Sequence, residues 1–154
     1  DFEWFVFDHD DRPWMELELV RAGGKLNLIR EILIWDVGQG SLNETNMAGV
    51  EKVEGEAGLG IVRLLQETIT GTSFESFSEK TRRELEEHPN QVSLFISRVD
   101  QKPVGTGWIR YMDEFAYLGG GAVLPEYRGR SIYSHLLQAR IDEIKDLFKR
   151  YDEG

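Results

Sequence analysis

The 154-residue sequence contains no cysteine. This absence excludes a disulfide framework, a thiolate metal site and a cysteine nucleophile. The three histidines, His9, His88 and His135, are far apart and lack the spacing of metal ligands. The sequence also lacks any apolar run near the roughly 20 residues that cross a bilayer. We therefore expect no metal cofactor, no membrane partner and a cytoplasmic location.

Basic residues are in the minority, with 18 Lys and Arg against 28 Asp and Glu, which gives a net charge of −10. Because nucleic acid phosphates are bound by basic surfaces, this balance argues against a nucleic acid partner. An acidic surface instead favours a cationic acceptor such as an amine. Against this background one basic cluster stands out, formed by Arg128, Arg130, His135 and Arg140.

The stretch Leu118–Leu137 is predicted to form a strand, a turn and a helix. Three glycines, Gly119–Gly121, interrupt the apolar strand and indicate a bulge or a close approach by a ligand. Pro125 ends the strand because it has no N–H to donate. The turn Arg128–Ser131 precedes a helix whose first N–H groups lack intrahelical partners and favour an anion, especially a phosphate. The apolar positions of this helix are Ile132, Leu136, Leu137, Ile141, Ile144, Leu147 and Phe148.

The segment Val123–Tyr133 resembles the acetyl-CoA-binding motif of the GNAT superfamily of N-acetyltransferases. That motif reads Arg or Gln, two residues, Gly, one residue, then Gly or Ala. Arg128 takes its first position, and the flanking Pro-Glu-Tyr-Arg-Gly-Arg sequence strengthens the match. Ser131 and Tyr133 depart from the pattern, because they stand where the family has its two small residues.

The resemblance implies acetyl-CoA as a co-substrate and a primary amine of a small molecule or protein as the acceptor. In the family, the backbone of the fourth strand binds the pantetheine arm, and the turn binds the pyrophosphate. The cofactor-binding residues implied here are Gly121, Ala122, Val123, Leu124, Arg128, Gly129, Arg130, Ser131, Ile132 and Tyr133.

The sequence does not identify a catalytic base. Glu114, Glu126 and Tyr133 are weak catalytic candidates, because the two glutamates are better explained as solvated loop carboxylates and Tyr133 is equally explained as a packing residue. The same holds for Asp113, Tyr111 and Tyr117. An alternative function is therefore a non-catalytic module that binds acyl-CoA, or a degenerate GNAT domain with a regulatory or interaction role.

From Val50 onward the element order resembles that of the GNAT fold: strand, two helices, three meandering strands and the motif helix. We accordingly predict an α/β (α+β) fold with a mixed, mostly antiparallel sheet flanked by helices. The predicted elements before the motif helix are Val50–Glu54, Gly58–Thr70, Ser76–His88, Gln91–Val99, Val104–Met112 and Glu114–Val123, with Asp100–Pro103 as a hairpin loop.

The segment Asp1–Val37 is predicted to form a further strand, helix and strand, with strands at Asp1–Asp8 and Leu28–Val37 and a helix that stops at Gly23-Gly24. Residues 38–49 are predicted to be a linker, and residues 50–154 the acetyl-CoA-binding region. The strand, helix and strand that close the GNAT fold do not follow the motif helix here. Either the chain is a fragment of a two-repeat protein, or Asp1–Val37 supplies the closing strands within one chain or by exchange in a homodimer.

Overall fold

The computed structural model describes residues 17–18, 20–23, 36, 49–113 and 115–152. The chain divides into two compact units, Asp1–Trp35 and Asp36–Gly154. In the first unit the described residues form the end of a helix, where the N–H of Ala22 donates to the carbonyl of Glu18 (2.9 Å).

The helix in the first unit ends at Arg21 and is followed by a turn at Ala22 and Gly23, next to the predicted stop at Gly23-Gly24, and Gly23 has a positive φ of 93°. The N–H of Gly23 donates to the carbonyl of Val20 (3.0 Å). The two strands predicted on either side of this helix lie outside the described residues, as does the predicted linker up to residue 48.

The second unit contains the predicted order of strands and helices, and the predicted α/β class is confirmed. Its described elements are β1 (Val50–Val53), α1 (Gly55–Thr70), α2 (Glu75–Glu87), β2 (Val92–Val99), β3 (Lys102–Tyr111), β4 (Ala116–Val123), a short 3-10 helix (Pro125–Tyr127) and α3 (Ile132–Asp152).

The described strands form one sheet in the order β1-β2-β3-β4, and each neighbouring pair is antiparallel. On β3, Trp108 packs against Phe77 of α2. Gly105 and Gly107 of the same strand face α3, because a Cβ on either glycine would contact side chains of that helix. Because successive residues of a strand point to opposite faces, α1 and α2 cover one face of the sheet and α3 covers the other. The buried residues of β2 and β3 form the centre of the core, which explains their nearly continuous apolar sequence.

The hairpin between β2 and β3 is tighter than predicted. Its loop is only Asp100 and Gln101, which both have positive φ values, 48° and 65°. Pro103 is not part of the loop but lies in β3 opposite Arg98, where the register of the two strands shifts. A proline cannot donate to a strand partner, and it is tolerated here because the ladder is already irregular.

Glu143 links α3 to three strands of the sheet. One of its carboxylate oxygens accepts hydrogen bonds from Tyr111 (2.8 Å), Lys52 (3.0 Å) and Ser93. Burial alone raises the pKa of Glu143, but these three bonds outweigh burial and hold the pKa below its usual value of 4.5. Burial, together with the neighbouring carboxylate, raises the pKa of the Tyr111 hydroxyl.

Replacing Glu143 with glutamine is expected to destabilise the second unit by about 1–3 kcal/mol at neutral pH, because charge-assisted bonds from three strands are weakened. A lowered carboxyl pKa contributes stability that is present above the unfolded value and is lost as pH falls through the folded one. The difference between wild type and Glu143→Gln should therefore shrink as pH falls below about 4.5. Urea unfolding at neutral and acidic pH measures this difference in the free energy of unfolding. Asp146 is an exposed carboxylate of the same helix, and Asp146→Asn is the control. A difference that stayed constant with pH would contradict this assignment.

Candidate functional site

A β-bulge interrupts β4 at its glycines, as the sequence predicts. Gly119 pairs with Trp108 and Ala122 pairs with Thr106, so that Gly120 and Gly121 together lie opposite a single residue of β3. Gly120 has a positive φ of 57°. This irregularity bends the strand beside the turn that follows it.

Side chains from helices on both faces of the sheet hold the bulge. From α1, the buried Gln66 donates its Nε2 to the carbonyl of Gly120 (2.6 Å). From α3, Arg140 donates Nη1 to the carbonyl of Gly119 (3.1 Å). The indole of Trp108 lies where a side chain at Gly120 would be, because a Cβ on Gly120 would be 1.8 Å from its Cζ3. The bulge is thus fixed by its surroundings before any ligand binds.

The turn after β4 leads into the N-terminus of α3. Gly129 and Ser131 both have positive φ values, 74° and 59°. The first backbone bond of α3 runs from the N–H of His135 to the carbonyl of Ser131 (3.0 Å). The N–H groups of residues 132–134 therefore precede the first intrahelical donor, and such groups together with the helix dipole favour an anion.

A cavity of about 610 Å³ lies between the bulge, the turn and the start of α3. Its lining contains every predicted cofactor-binding residue except Leu124 and Arg130. Leu124 is buried, and its N–H donates to the carbonyl of Val104 (2.8 Å). The guanidinium of Arg130 lies 5.3 Å from the ring centre of Tyr127. The lining residues are Gly121, Ala122, Val123, Tyr127, Arg128, Gly129, Ser131, Ile132, Tyr133 and Ser134.

Arg128 folds back over the end of β4. Its Nε donates to the carbonyl of Val123 (3.1 Å). This bond connects the turn to the strand and uses one of the five N–H donors of the guanidinium. The two Nη groups carry the other four donors, which can bind an anion in the cavity.

Of the two catalytic candidates that the structure describes, Tyr133 and Glu126, only Tyr133 lines the cavity. Glu126 is exposed, and its Oε1 lies 3.8 Å from the Nζ of Lys102. Glu114 lies outside the described residues. Tyr111, also considered above, donates to Glu143, while Asp113 and Tyr117 are exposed.

Arg140 is the residue beside the candidate site whose position the sequence did not reveal. Its side chain is almost fully buried, with a relative exposure of 1%. Besides its bond to the carbonyl of Gly119, Arg140 donates its Nε to the carbonyl of Leu136 (3.0 Å). Burial lowers the pKa of Arg140, and Tyr133 partly opposes this shift. Within residues 49–113 and 115–150, no carboxylate forms a salt bridge with it.

A sequence signal for the burial of Arg140 does exist. Arg140 lies four residues after Leu136 and four before Ile144, so it shares their buried face of α3. The space for its guanidinium comes from glycine, since a Cβ on Gly107 would lie 2.9 Å from its Cζ.

Two general properties of the described residues complete the site. None of their helices is both long enough and apolar enough to span a bilayer. They also contain no cluster of three or more His, Asp or Glu side chains suited to binding a metal ion.

Comparisons with known proteins identify one family. Residues 61–151 match the family model described as the acetyltransferase (GNAT) family, which is more than half of the chain. No curated protein sequence matches the chain significantly.

Several solved structures share the fold. AAC(6')-Iy, in complex with the bisubstrate analogue CoA-S-monomethyl-acetylneamine, is 18% identical with a TM-score of 0.50, over 63% of this chain and 72% of that chain. A putative GNAT acetyltransferase from Novosphingobium aromaticivorans is 17% identical with a TM-score of 0.53, over 70% of this chain and 44% of that chain. The aminoglycoside 6'-N-acetyltransferase AAC(6')-IG from Acinetobacter haemolyticus is 16% identical with a TM-score of 0.51, over 65% and 72% of the two chains. At these identities the likeness concerns the fold.

Proposed function

The chain belongs to the GNAT family of acetyltransferases, and from this premise we propose that it transfers an acetyl group from acetyl-CoA to a primary amine of a small molecule or protein. The observation that carries the proposal is the cavity between the β4 bulge and the start of α3. Its volume of about 610 Å³ lies within the usual range of ligand sites. We assign this role to residues 50–154.

In this proposal the turn binds the pyrophosphate of acetyl-CoA. The N–H groups of Ile132, Tyr133 and Ser134 supply donors at the positive end of the helix dipole. The Nη groups of Arg128 add charge-assisted bonds. The backbone of Gly121–Leu124 binds the pantetheine arm, which brings the thioester toward the bulge.

The acceptor in this proposal is a cationic amine, which the net charge of −10 would attract. The amine must lose a proton before it attacks the thioester, because only its neutral form has a free electron pair. Aminoglycosides are the acceptors named for one of the structures with this fold. We extend from that only the chemical class, a primary amine.

A non-catalytic acyl-CoA-binding module is the second candidate. It is favoured by the position of Tyr133, whose ring lies in the cavity where the family has a small residue. A Cβ on Gly121 would be 2.8 Å from the Cε2 of this ring. The two candidates differ in turnover, while both require that CoA binds.

The proposal predicts saturable binding of CoA and acetyl-CoA below millimolar concentration, measured by isothermal titration calorimetry. Ser134→Glu should abolish this binding, because it places a carboxylate in the cavity at the start of α3, where it repels the phosphates. A carboxylate in a first turn stabilises a helix, so the loss would not reflect unfolding. Ser76→Glu, in the first turn of α2, is the matched control and should bind CoA normally.

Turnover is then tested on the same preparation with a panel of primary amines, by detecting the thiol that is released from acetyl-CoA. Acetylation of any amine in the panel supports the acetyltransferase function. Binding of CoA without thiol release supports the non-catalytic acyl-CoA-binding module. An absence of heat with millimolar CoA would reject both.

A further inference from the structure

Arg140 is a buried cation beside the bulge end of the cavity. Only 1% of its surface is exposed, and its Nη2 would lie 3.0 Å from a Cβ on Gly121. Gly121 lines the cavity, and the absence of a side chain there leaves room for the guanidinium next to the strand backbone. In the proposed function the thioester of the bound cofactor lies toward this same bulge. A positive charge is therefore placed close to the acyl group.

The charge of Arg140 is not needed to hold the bulge. Arg140 donates to the carbonyls of Gly119 and Leu136, which are both neutral groups. The adjacent carbonyl, that of Gly120, is held by the neutral amide of Gln66 (2.6 Å). A neutral donor is thus sufficient for a carbonyl of this bulge. The guanidinium adds a charge whose burial is costly unless an anion accompanies it.

The protein supplies no such anion within residues 49–113 and 115–150, where no carboxylate forms a salt bridge with Arg140. Glu143, three residues further along α3, already accepts hydrogen bonds from Lys52 and Tyr111. The described residues that line the cavity include no Asp or Glu, although the chain has a net charge of −10. The anion that would complete this site is therefore expected to come from a ligand.

We propose that the cavity accepts acyl-CoA thioesters whose acyl group ends in a carboxylate, such as a malonyl or succinyl group, and that Arg140 binds this carboxylate through its Nη2. This inference rests on the proposed function and specifies the acyl group that the cavity recognises. Acetyl-CoA still binds, but its methyl group leaves Arg140 without an anion.

The ring of Tyr133 borders the proposed carboxylate site. It lines the cavity, is half exposed, and its Cε2 would lie 2.8 Å from the same Cβ position on Gly121. Arg140 does not line the cavity while this ring lies against Gly121. In the proposal the ring turns toward solvent and admits the carboxylate to Nη2.

The two arginines beside the cavity serve opposite ends of the ligand. Arg128 lies at the turn, where its Nε donates to the carbonyl of Val123, and in the proposed function it binds the pyrophosphate. Gly121 is two residues before Val123, or about 7 Å away along the strand. Loss of Arg128 should therefore weaken every CoA ligand to the same extent, whereas loss of Arg140 should weaken only ligands that carry the carboxylate.

Two pairs of thioesters of matched shape isolate the contribution of the carboxylate. Isovaleryl-CoA has the shape of malonyl-CoA, with two methyl groups in place of the two carboxylate oxygens. In the same way, 4-methylvaleryl-CoA matches succinyl-CoA. Calorimetric titration of all four ligands at neutral pH gives one ratio of affinities for each pair. Because every ligand contains CoA, the ratio cancels the binding of the pyrophosphate and the pantetheine arm.

For the wild type, we expect the carboxylate ligand of at least one pair to bind about ten- to a hundredfold more tightly than its neutral counterpart, as for a charge-assisted hydrogen bond. Arg140→Met should abolish this preference, and Arg140→Lys, which keeps the charge, should retain part of it. An apolar residue of similar volume is often tolerated in place of a buried charge, so Arg140→Met is expected to fold.

Two further variants complete the test. Gly121→Ala keeps the cation but adds a methyl group 3.0 Å from Nη2, which should separate it from the ligand and remove the preference. Arg128→Ala is the matched control, because it removes the other arginine beside the cavity. It should lower the affinity for both members of a pair and leave their ratio unchanged.

A wild type that binds both members of each pair equally overturns the inference without any variant, and so does a preference that persists in Arg140→Met. In both cases the thioesters still bind, and the proposed function stands. If Arg140→Met does not fold, Gly121→Ala decides, and a preference that persists there contradicts the assignment. If none of the four ligands binds the wild type, the proposed function itself has failed, and the inference fails with it.

Discussion

Replacing Gly120 with alanine is expected to destabilise the second unit by about 3–5 kcal/mol. The new Cβ would lie 1.8 Å from Cζ3 and 2.0 Å from Cη2 of Trp108. The indole cannot move away easily, because it packs against Phe77 with a ring separation of 4.4 Å. Alanine would also have to adopt the positive φ of 57° at this position. Steric overlap and backbone strain therefore act together.

Gly60→Ala is the matched control for this substitution. Gly60 is an exposed glycine in α1, and a Cβ there would have no neighbouring atom within 4 Å. Alanine should stabilise the helix at this position by about 0.5–1 kcal/mol. Urea unfolding followed by circular dichroism measures both variants. Equal stability of Gly120→Ala and wild type would show that the bulge is not fixed as described.

Arg128→Ala is expected to weaken CoA binding by about ten- to a hundredfold, because charge-assisted bonds contribute roughly 1.5–3 kcal/mol. The substitution also removes the bond from Nε to the carbonyl of Val123. That loss should cost about 1 kcal/mol of stability and loosen the turn. Arg128→Lys should restore little affinity, because an ammonium cannot contact the strand carbonyl and the phosphates as a planar guanidinium does.

Arg130→Ala is the comparison for Arg128→Ala, since the two residues flank the same glycine. Arg130 does not line the cavity, and its guanidinium lies over the ring of Tyr127. We expect Arg130→Ala to weaken CoA binding by less than about tenfold, because a screened surface charge contributes little to affinity. Calorimetric titration and thermal unfolding on both variants provide the measurement. A larger loss for Arg130→Ala than for Arg128→Ala would reverse the assignment.

Local patterns in the sequence predicted most of the fold and the location of the candidate site. The consecutive glycines of β4 predicted its bulge, and Arg128–Ser131 predicted the turn before α3. These features depend on residues that are adjacent in the chain. The motif resemblance added acetyl-CoA as the proposed ligand, which spacing alone does not provide.

Features that depend on residues distant in sequence were not predicted. The burial of Arg140 requires glycine at position 107 of β3 and a carbonyl of β4, and only the folded sheet brings these together. The register shift that places Pro103 inside β3 is likewise a property of two paired strands. The start of α1 at Gly55 rather than Gly58 was missed because glycine is a poor helix former, whereas packing on the sheet overrides that preference.

The capture of two adjacent carbonyls, by Gln66 from α1 and by Arg140 from α3, has a consequence for the thermodynamics of binding. The conformational entropy of ordering this strand is lost during folding rather than on association, so the strand is preorganised. Association should then involve little backbone rearrangement and a heat capacity change that reflects only the surface buried by the ligand itself.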